Sequence, residues 1–181
     1  MNKFQPAVKY GVYLGVFSII FHIVPYVIDP DIFFNKGYSV FKMVLFWAAL
    51  PIVFMLLGTK AINVNKEYFS YGKAFKSAFY VGFIALAILF TYESIITFVD
   101  PELGEWVYDT AIEKQTVALE DANAPDSQIE QTVKGMEMAR PYFSGIGGVI
   151  ITNVALLLFY LILALIIGAT QKDKKEEDLL T

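Results

Sequence analysis

The chain has 181 residues, of which 56% are apolar, 16% aromatic and only 18% charged, with a formal charge of −4 and a mean hydropathy of +0.53. A soluble domain carries about 25% charge; here the charge is scarce and crowded between four long stretches that nearly lack it. These values exclude a disordered chain, a nucleic-acid binder and an ordinary cytosolic enzyme, and leave a small polytopic membrane protein. Cysteine is absent and His22 is the single histidine. No disulfide framework or thiolate metal site can therefore form, structural zinc or haem has almost no ligands, and no cofactor is expected.

A membrane helix needs about 20 mostly apolar residues to cross about 30 Å of hydrocarbon. Four stretches qualify, at about 7–28, 43–62, 77–99 and 143–169. The first follows Lys3 and Lys9 as a signal peptide would, but it is too long for an h-region and has no small-x-small cleavage site, so it reads as a retained helix. Pro51 lies inside the second and predicts a kink there. Lysines gather at the N-terminus (Lys3, Lys9), in the second connection (Lys60, Lys66, Lys73, Lys76) and in the tail (Lys172, Lys174, Lys175). The third connection, 100–142, instead holds ten acidic residues against Lys114, Lys134 and Arg140. Positive charge stays inside, which predicts cytoplasmic termini, a cytoplasmic second turn and an extracytoplasmic acidic segment.

That segment is itself helical in pattern. Residues 105–122 are good helix formers, and after Pro125 the apolar Ile129, Val133 and Met136 recur at helical spacing. Two helices forming a hairpin with its tip at 122–125 are expected, as an insertion in a single all-α membrane domain of four helices.

An internal duplication is also readable. A shift of 71 positions lays the first span on the third: Ala7 meets Ala78, Gly11 meets Gly82, His22 meets Glu93, and Asp29-Pro30-Asp31 meets Asp100-Pro101-Glu102. The expected fold is two parallel helix pairs with the hairpin inserted into the second copy. Asp29, Asp31, Asp100 and Glu102 mark the outer helix ends, where they either terminate the spans or form a paired cation site. Small residues let helix backbones approach, so Gly11 and Gly15 of the first span are expected to pack on Ala78 and Gly82 of the third. This seam would bring His22 near Glu93, an intramembrane polar pair that acts as glue or as a proton-responsive group. Gly145, Gly147 and Gly148, ahead of Thr152 and Asn153, predict a further close-packed seam in the fourth span.

No nucleophile-and-base set, phosphate-binding glycine loop or metal-ligand cluster is present at usable spacing, so an enzyme is not expected. The stretch Tyr68-Phe69-Ser70-Tyr71-Gly72-Lys73-Ala74-Phe75, ahead of a span ending in Asp100-Pro101-Glu102, resembles the bacterial domain of unknown function 4199 family. The layout of four spans with a long acidic connection between the third and fourth does so too. The resemblance implies no catalytic residues; it implies a bacterial cytoplasmic (inner) membrane location and a polyprenyl-phosphate glycosyltransferase as partner. The leading expectation is a non-catalytic accessory or scaffold subunit, a homo-oligomer or a companion of another membrane protein. Its contact turn would be Lys60, Lys66, Tyr71, Gly72, Lys73 and Lys76, basic enough to hold an acidic partner or anionic lipid. The alternative is a small carrier or channel that uses His22 and Glu93.

Overall fold

The computed structural model describes residues 5–28, 32, 34–63 and 69–173, and every regular element among them is helical. In chain order they are α1 (Gln5–Ile28), α2 (Lys36–Met43), a π-helical stretch (Val44–Ala49), α3 (Leu50–Ile62), α4 (Tyr71–Val99), α5 (Pro101–Asp121), α6 (Asp126–Phe143) and α7 (Gly145–Gln171). Four stretches are long and apolar enough to cross a membrane: Gln5–Val24, Gly37–Ile62, Tyr71–Val99 and Gly145–Gln171. At 1.5 Å per residue the third is about 43 Å long, more than a hydrocarbon core of about 30 Å requires. Large side chains on these helices stay uncovered, such as Phe98 at 92% and Leu158 at 58% exposure. This is what a lipid-facing surface looks like. The chain is a multi-pass, all-helical membrane protein.

The second span starts earlier than its apolar run. Asn35 caps α2 by accepting a bond from the Tyr38 amide at 3.1 Å, so helix begins seven residues before Met43. Pro51 does not stop it. A proline lacks the N–H and crowds the carbonyl four residues back; here the preceding turns widen into a π-helix, with the Leu50 amide bonding the Leu45 carbonyl. The expected disturbance is thus a wide turn that re-pairs the backbone.

Two compact units divide the chain: Met1–Leu89 with Ala155–Thr181, and Phe90–Val154. The first holds the core. Leu14, Met55, Ala78, Val81 and Ala164 are fully buried there, with Tyr160 and Ile167 nearly so. Rings key α1 to the second span, with Phe21 edge-on to Phe46 at 5.3 Å and Phe17 beside Phe54 at 6.0 Å.

The second unit contains α5 and α6, joined through 122–125, where Asn123 takes a left-handed φ of 52°, a conformation asparagine tolerates. Asp100 accepts a bond from the Leu103 amide at 3.1 Å, Pro101 opens α5, and Glu102 lies in its first turn. The Asp-Pro-Glu sequence is therefore a helix start: a capping carboxylate, a proline that needs no N–H bond, and an acid near the positive end of the dipole. At the far end, the amide of Gly148 bonds Ser144 and Gly145 takes a φ of +56°. A Cβ at Gly147 would lie 2.8 Å from the Pro141 carbonyl, and one at Gly148 would strike Phe143. These glycines serve the tight passage from α6 to α7, where a helix–helix seam was expected.

Candidate functional site

The turn leading into α4 is tied down by backbone bonds. The Phe69 amide donates to Asp173 Oδ2 at 2.7 Å, and the Asp173 amide donates back to the Phe69 carbonyl at 3.0 Å. Ser70 then starts the helix, its carbonyl accepting from Ala74 at 3.0 Å and its Oγ from the Lys73 amide at 3.4 Å. Phe69 and Ala74 are buried, and Phe75 lies where only a glycine, Gly168, fits opposite. Packing explains these four residues. It does not explain Tyr71, Gly72 and Lys73, which face outward; a side chain at Gly72 would meet nothing within 4 Å. Lys76 is exposed one turn further on, and Lys60 is exposed in the last turn of α3. Lys66 lies outside the described residues, as do Asp29 and Asp31. Tyr71, Phe75, Phe79 and Phe83 stack along α4 at ring distances of 5.9–6.3 Å. The turn is thus a braced, outward-facing basic surface above an aromatic ladder.

His22 belongs to the first unit and Glu93 to the second; within the second unit, Asn153 of α7 donates from Nδ2 to Glu93 Oε2 at 2.6 Å. The same nitrogen donates to the Val149 carbonyl at 2.9 Å. Asn153 is 8% exposed, and its Oδ1 has no partner among the described residues. Asn153 drew notice in the sequence only as a polar residue after glycines. Its distance from Glu93, 60 positions along the chain, hid the pairing.

In the first unit, a Cβ on Gly11 would lie 2.8 Å from Ile84 Cβ and from the Val81 carbonyl, and one on Gly15 would lie 3.0 Å from Ile88. Thus α1 packs on α4 through glycines that receive β-branched side chains. Gly82 is not on that seam: a Cβ there would meet Met55 and Tyr160. Val81, Ile84 and Ile88 follow one another at i, i+3 and i+7, which makes one helical face. Gly82 points about a third of a turn away, toward Met55 of α3 and Tyr160 of α7. Ala78, three residues before Val81 and four before Gly82, is fully buried between the two stripes. Gly82 therefore receives the larger core residues Met55 and Tyr160, while the close contacts with Gly11 and Gly15 fall at Val81, Ile84 and Ile88.

The acidic α5–α6 pair is gathered on Arg140, the only arginine in the chain. Its guanidinium donates to Glu105 at 2.7 Å, Asp109 at 2.6 Å and Glu137 at 2.9 Å and lies 5.1 Å from the Tyr108 ring. The Tyr108 hydroxyl donates to the Met136 carbonyl. Bonds to Glu137, then Asp109 and Glu105, hold the guanidinium above its ordinary pKa, so it stays charged throughout the working pH range. A lysine could not bridge three carboxylates in a planar fork. The signal in the sequence was the lone arginine among ten acids.

Among the described residues no group of three His, Cys, Asp or Glu is placed to hold a metal ion. No curated protein and no solved structure is significantly similar to the chain. A family model described as "Protein of unknown function (DUF4199)" matches residues 9–173, nearly the full length, from α1 through the Asp173 that clasps Phe69. The chain belongs to this DUF4199 family.

Proposed function

We propose that the chain is a non-catalytic accessory or scaffold subunit of the bacterial cytoplasmic membrane, with both termini and the basic turn on the cytoplasmic side. The supporting observation is the Phe69–Lys76 turn. Two reciprocal bonds to Asp173 and the Ser70 start fix its backbone, yet Tyr71, Gly72, Lys73 and Lys76 face outward. A braced backbone carrying exposed lysines and a tyrosine, with a bare glycine between them, suits contact with an acidic protein surface, since little ordering entropy is lost on binding. Under this reading Lys60, Lys66, Lys73 and Lys76 hold the partner, a polyprenyl-phosphate glycosyltransferase, by charge, and the acidic α5–α6 pair faces the other side.

The test is purification of the tagged protein from its native host in mild detergent, with mass spectrometry of stoichiometric companions. A companion retained by wild type and by a Lys134→Glu control, but lost in Lys73→Glu/Lys76→Glu, supports the reading. A wild-type protein that elutes alone, as monomer or homodimer, contradicts it.

A second reading, a small carrier that uses intramembrane polar groups including His22 and Glu93, draws on the Glu93–Asn153 bond inside apolar spans. Protonophore-sensitive uptake into proteoliposomes that is lost in Glu93→Gln and kept in Lys73→Ala would favour it.

A further inference from the structure

Lys76, Phe79, Tyr80 and Phe83 line a groove of about 300 Å³ on the outside of α4. Their spacing of i, i+3, i+4 and i+7 puts them on one helical face. The buried residues of α4, among them Ser77, Ala78, Val81, Gly82 and Ala85, occupy the opposite face. Tyr80 is 41% and Phe83 49% exposed, and the Phe83 ring stacks on Phe79 at 5.9 Å. Lys76 closes the end of the groove nearest the start of the helix, and its side chain is exposed. Among the described residues its ammonium makes no hydrogen bond, ion pair or ring contact.

The depth of the groove narrows what can fill it. A hydrocarbon core of about 30 Å, centred on a helix of about 43 Å, begins about 7 Å from Tyr71. Lys76 lies about 7.5 Å beyond Tyr71, at that edge, and the rings follow about 4.5–10.5 Å farther along. Helical side chains lean toward the N-terminal end, which carries the ammonium out to headgroup level. An acidic protein at the membrane surface could meet the lysine, but the rings lie below the level it reaches. The occupant therefore needs an anionic group at one end and a flexible apolar chain at the other. In a bilayer that is a phospholipid. A zwitterionic headgroup brings its own cation, so a net-anionic one gains more from Lys76.

We propose that this groove binds one phospholipid with a net-anionic headgroup, its phosphate at Lys76 and an acyl chain over Phe79, Tyr80 and Phe83. Lys60 and Lys73 do not line the groove, so the proposal stands or falls apart from the partner reading.

The experiment uses the purified full chain, without any companion, in a neutral detergent. Native mass spectrometry counts bound lipid during separate titrations with phosphatidylglycerol and phosphatidylcholine of the same acyl chains. Wild type is expected to bind one phosphatidylglycerol about fivefold more tightly, the equivalent of ~1 kcal/mol for one lysine at an anionic headgroup. Lys76→Gln is expected to remove that preference, Phe83→Ala to weaken both lipids alike, and Lys134→Gln on α6 to change neither. Equal binding of the two lipids by wild type overturns the proposal. So does a preference kept in Lys76→Gln, or binding that Phe83→Ala leaves unchanged. A preference lost equally in Lys134→Gln would mark attraction to positive charge at large, and also overturns it. Elution as a monodisperse species checks each variant, and the wild-type comparison decides alone where a variant does not fold.

Discussion

Gly11 and Gly15 make the seam between α1 and α4 testable with the smallest side chain available. Alanine in place of glycine favours a helix interior by about 1 kcal/mol, so Gly135→Ala, on α6 with nothing within 4 Å of its Cβ, is expected to stabilise by up to that amount. At Gly11 the same methyl would sit 2.8 Å from both Ile84 Cβ and the Val81 carbonyl, where ordinary contact begins at 3.4 Å. The helices must part by several tenths of an ångström, and overpacking of this kind costs about 1–3 kcal/mol. Set against the propensity gain, Gly11→Ala is expected to be neutral to about 2 kcal/mol less stable than wild type.

Double mutants separate the causes. At Gly15 the three nearest atoms all belong to the Ile88 side chain, so Ile88→Ala should relieve Gly15→Ala with a favourable coupling of about 1 kcal/mol. Ile84→Ala should relieve Gly11→Ala only in part, because the Val81 carbonyl stays. Reversible unfolding in mixed micelles, followed by fluorescence of Trp47 beside Phe159, gives the four-member cycles. If Gly11→Ala proves as stabilising as Gly135→Ala, or if Ile84→Ala restores it completely, the packing assigned to this seam is wrong.

Three further outcomes follow from other contacts. Asp100→Ala removes the cap of α5 and should cost about 0.5–2 kcal/mol, seen as faster hydrogen exchange at residues 102–104 with α7 unaffected. Arg140→Lys keeps the charge but not the fork that holds Glu105, Asp109 and Glu137; faster exchange in both α5 and α6 is expected, and unchanged exchange would show that the clasp adds nothing. Asp173→Ala frees Phe69 from its side-chain bond, a loss of about 1 kcal/mol. It should raise protease cutting at 69–73, which Asp173→Glu should not restore if the 2.7 Å geometry matters.

What could be read in advance and what could not divide along a physical line. Hydropathy needs only a run of apolar residues, so the four spans were legible to within a few positions, and the ends shifted where caps, not hydropathy, set them: Asn35 began helix before Met43, and Ser70 began α4 before Ser77. The helices around the Ala122–Pro125 turn were legible from spacing and a proline, although Pro125 serves as the cap and Asp126 as the first helical residue. Rotation about a helix axis is a different matter. No local rule states which face of α4 meets α1, so spacing alone did not show that Gly11 and Gly15 meet Val81, Ile84 and Ile88 most closely, or that Gly82 meets Met55 and Tyr160. The same ignorance hid Asn153 as the partner of Glu93, because both residues sit in helices whose mutual orientation depends on the whole core. Arg140 illustrates the remaining case, a contact between α5 and α6 that composition hinted at and only the antiparallel pairing of Glu105 and Asp109 with residue 140 made specific.

The proposed function requires that the Phe69–Lys76 turn and the α5–α6 pair lie on opposite sides of a membrane, the lysines inside. A chain without cysteine allows a direct measurement: single cysteines at Gly72, where a side chain meets nothing within 4 Å, and at Gly135, equally open, labelled in intact spheroplasts with a membrane-impermeant maleimide. The account predicts that the residue-135 cysteine is labelled in spheroplasts while the residue-72 cysteine reacts only after the membrane is opened. Labelling of both positions in intact spheroplasts, or of residue 72 alone, would contradict it.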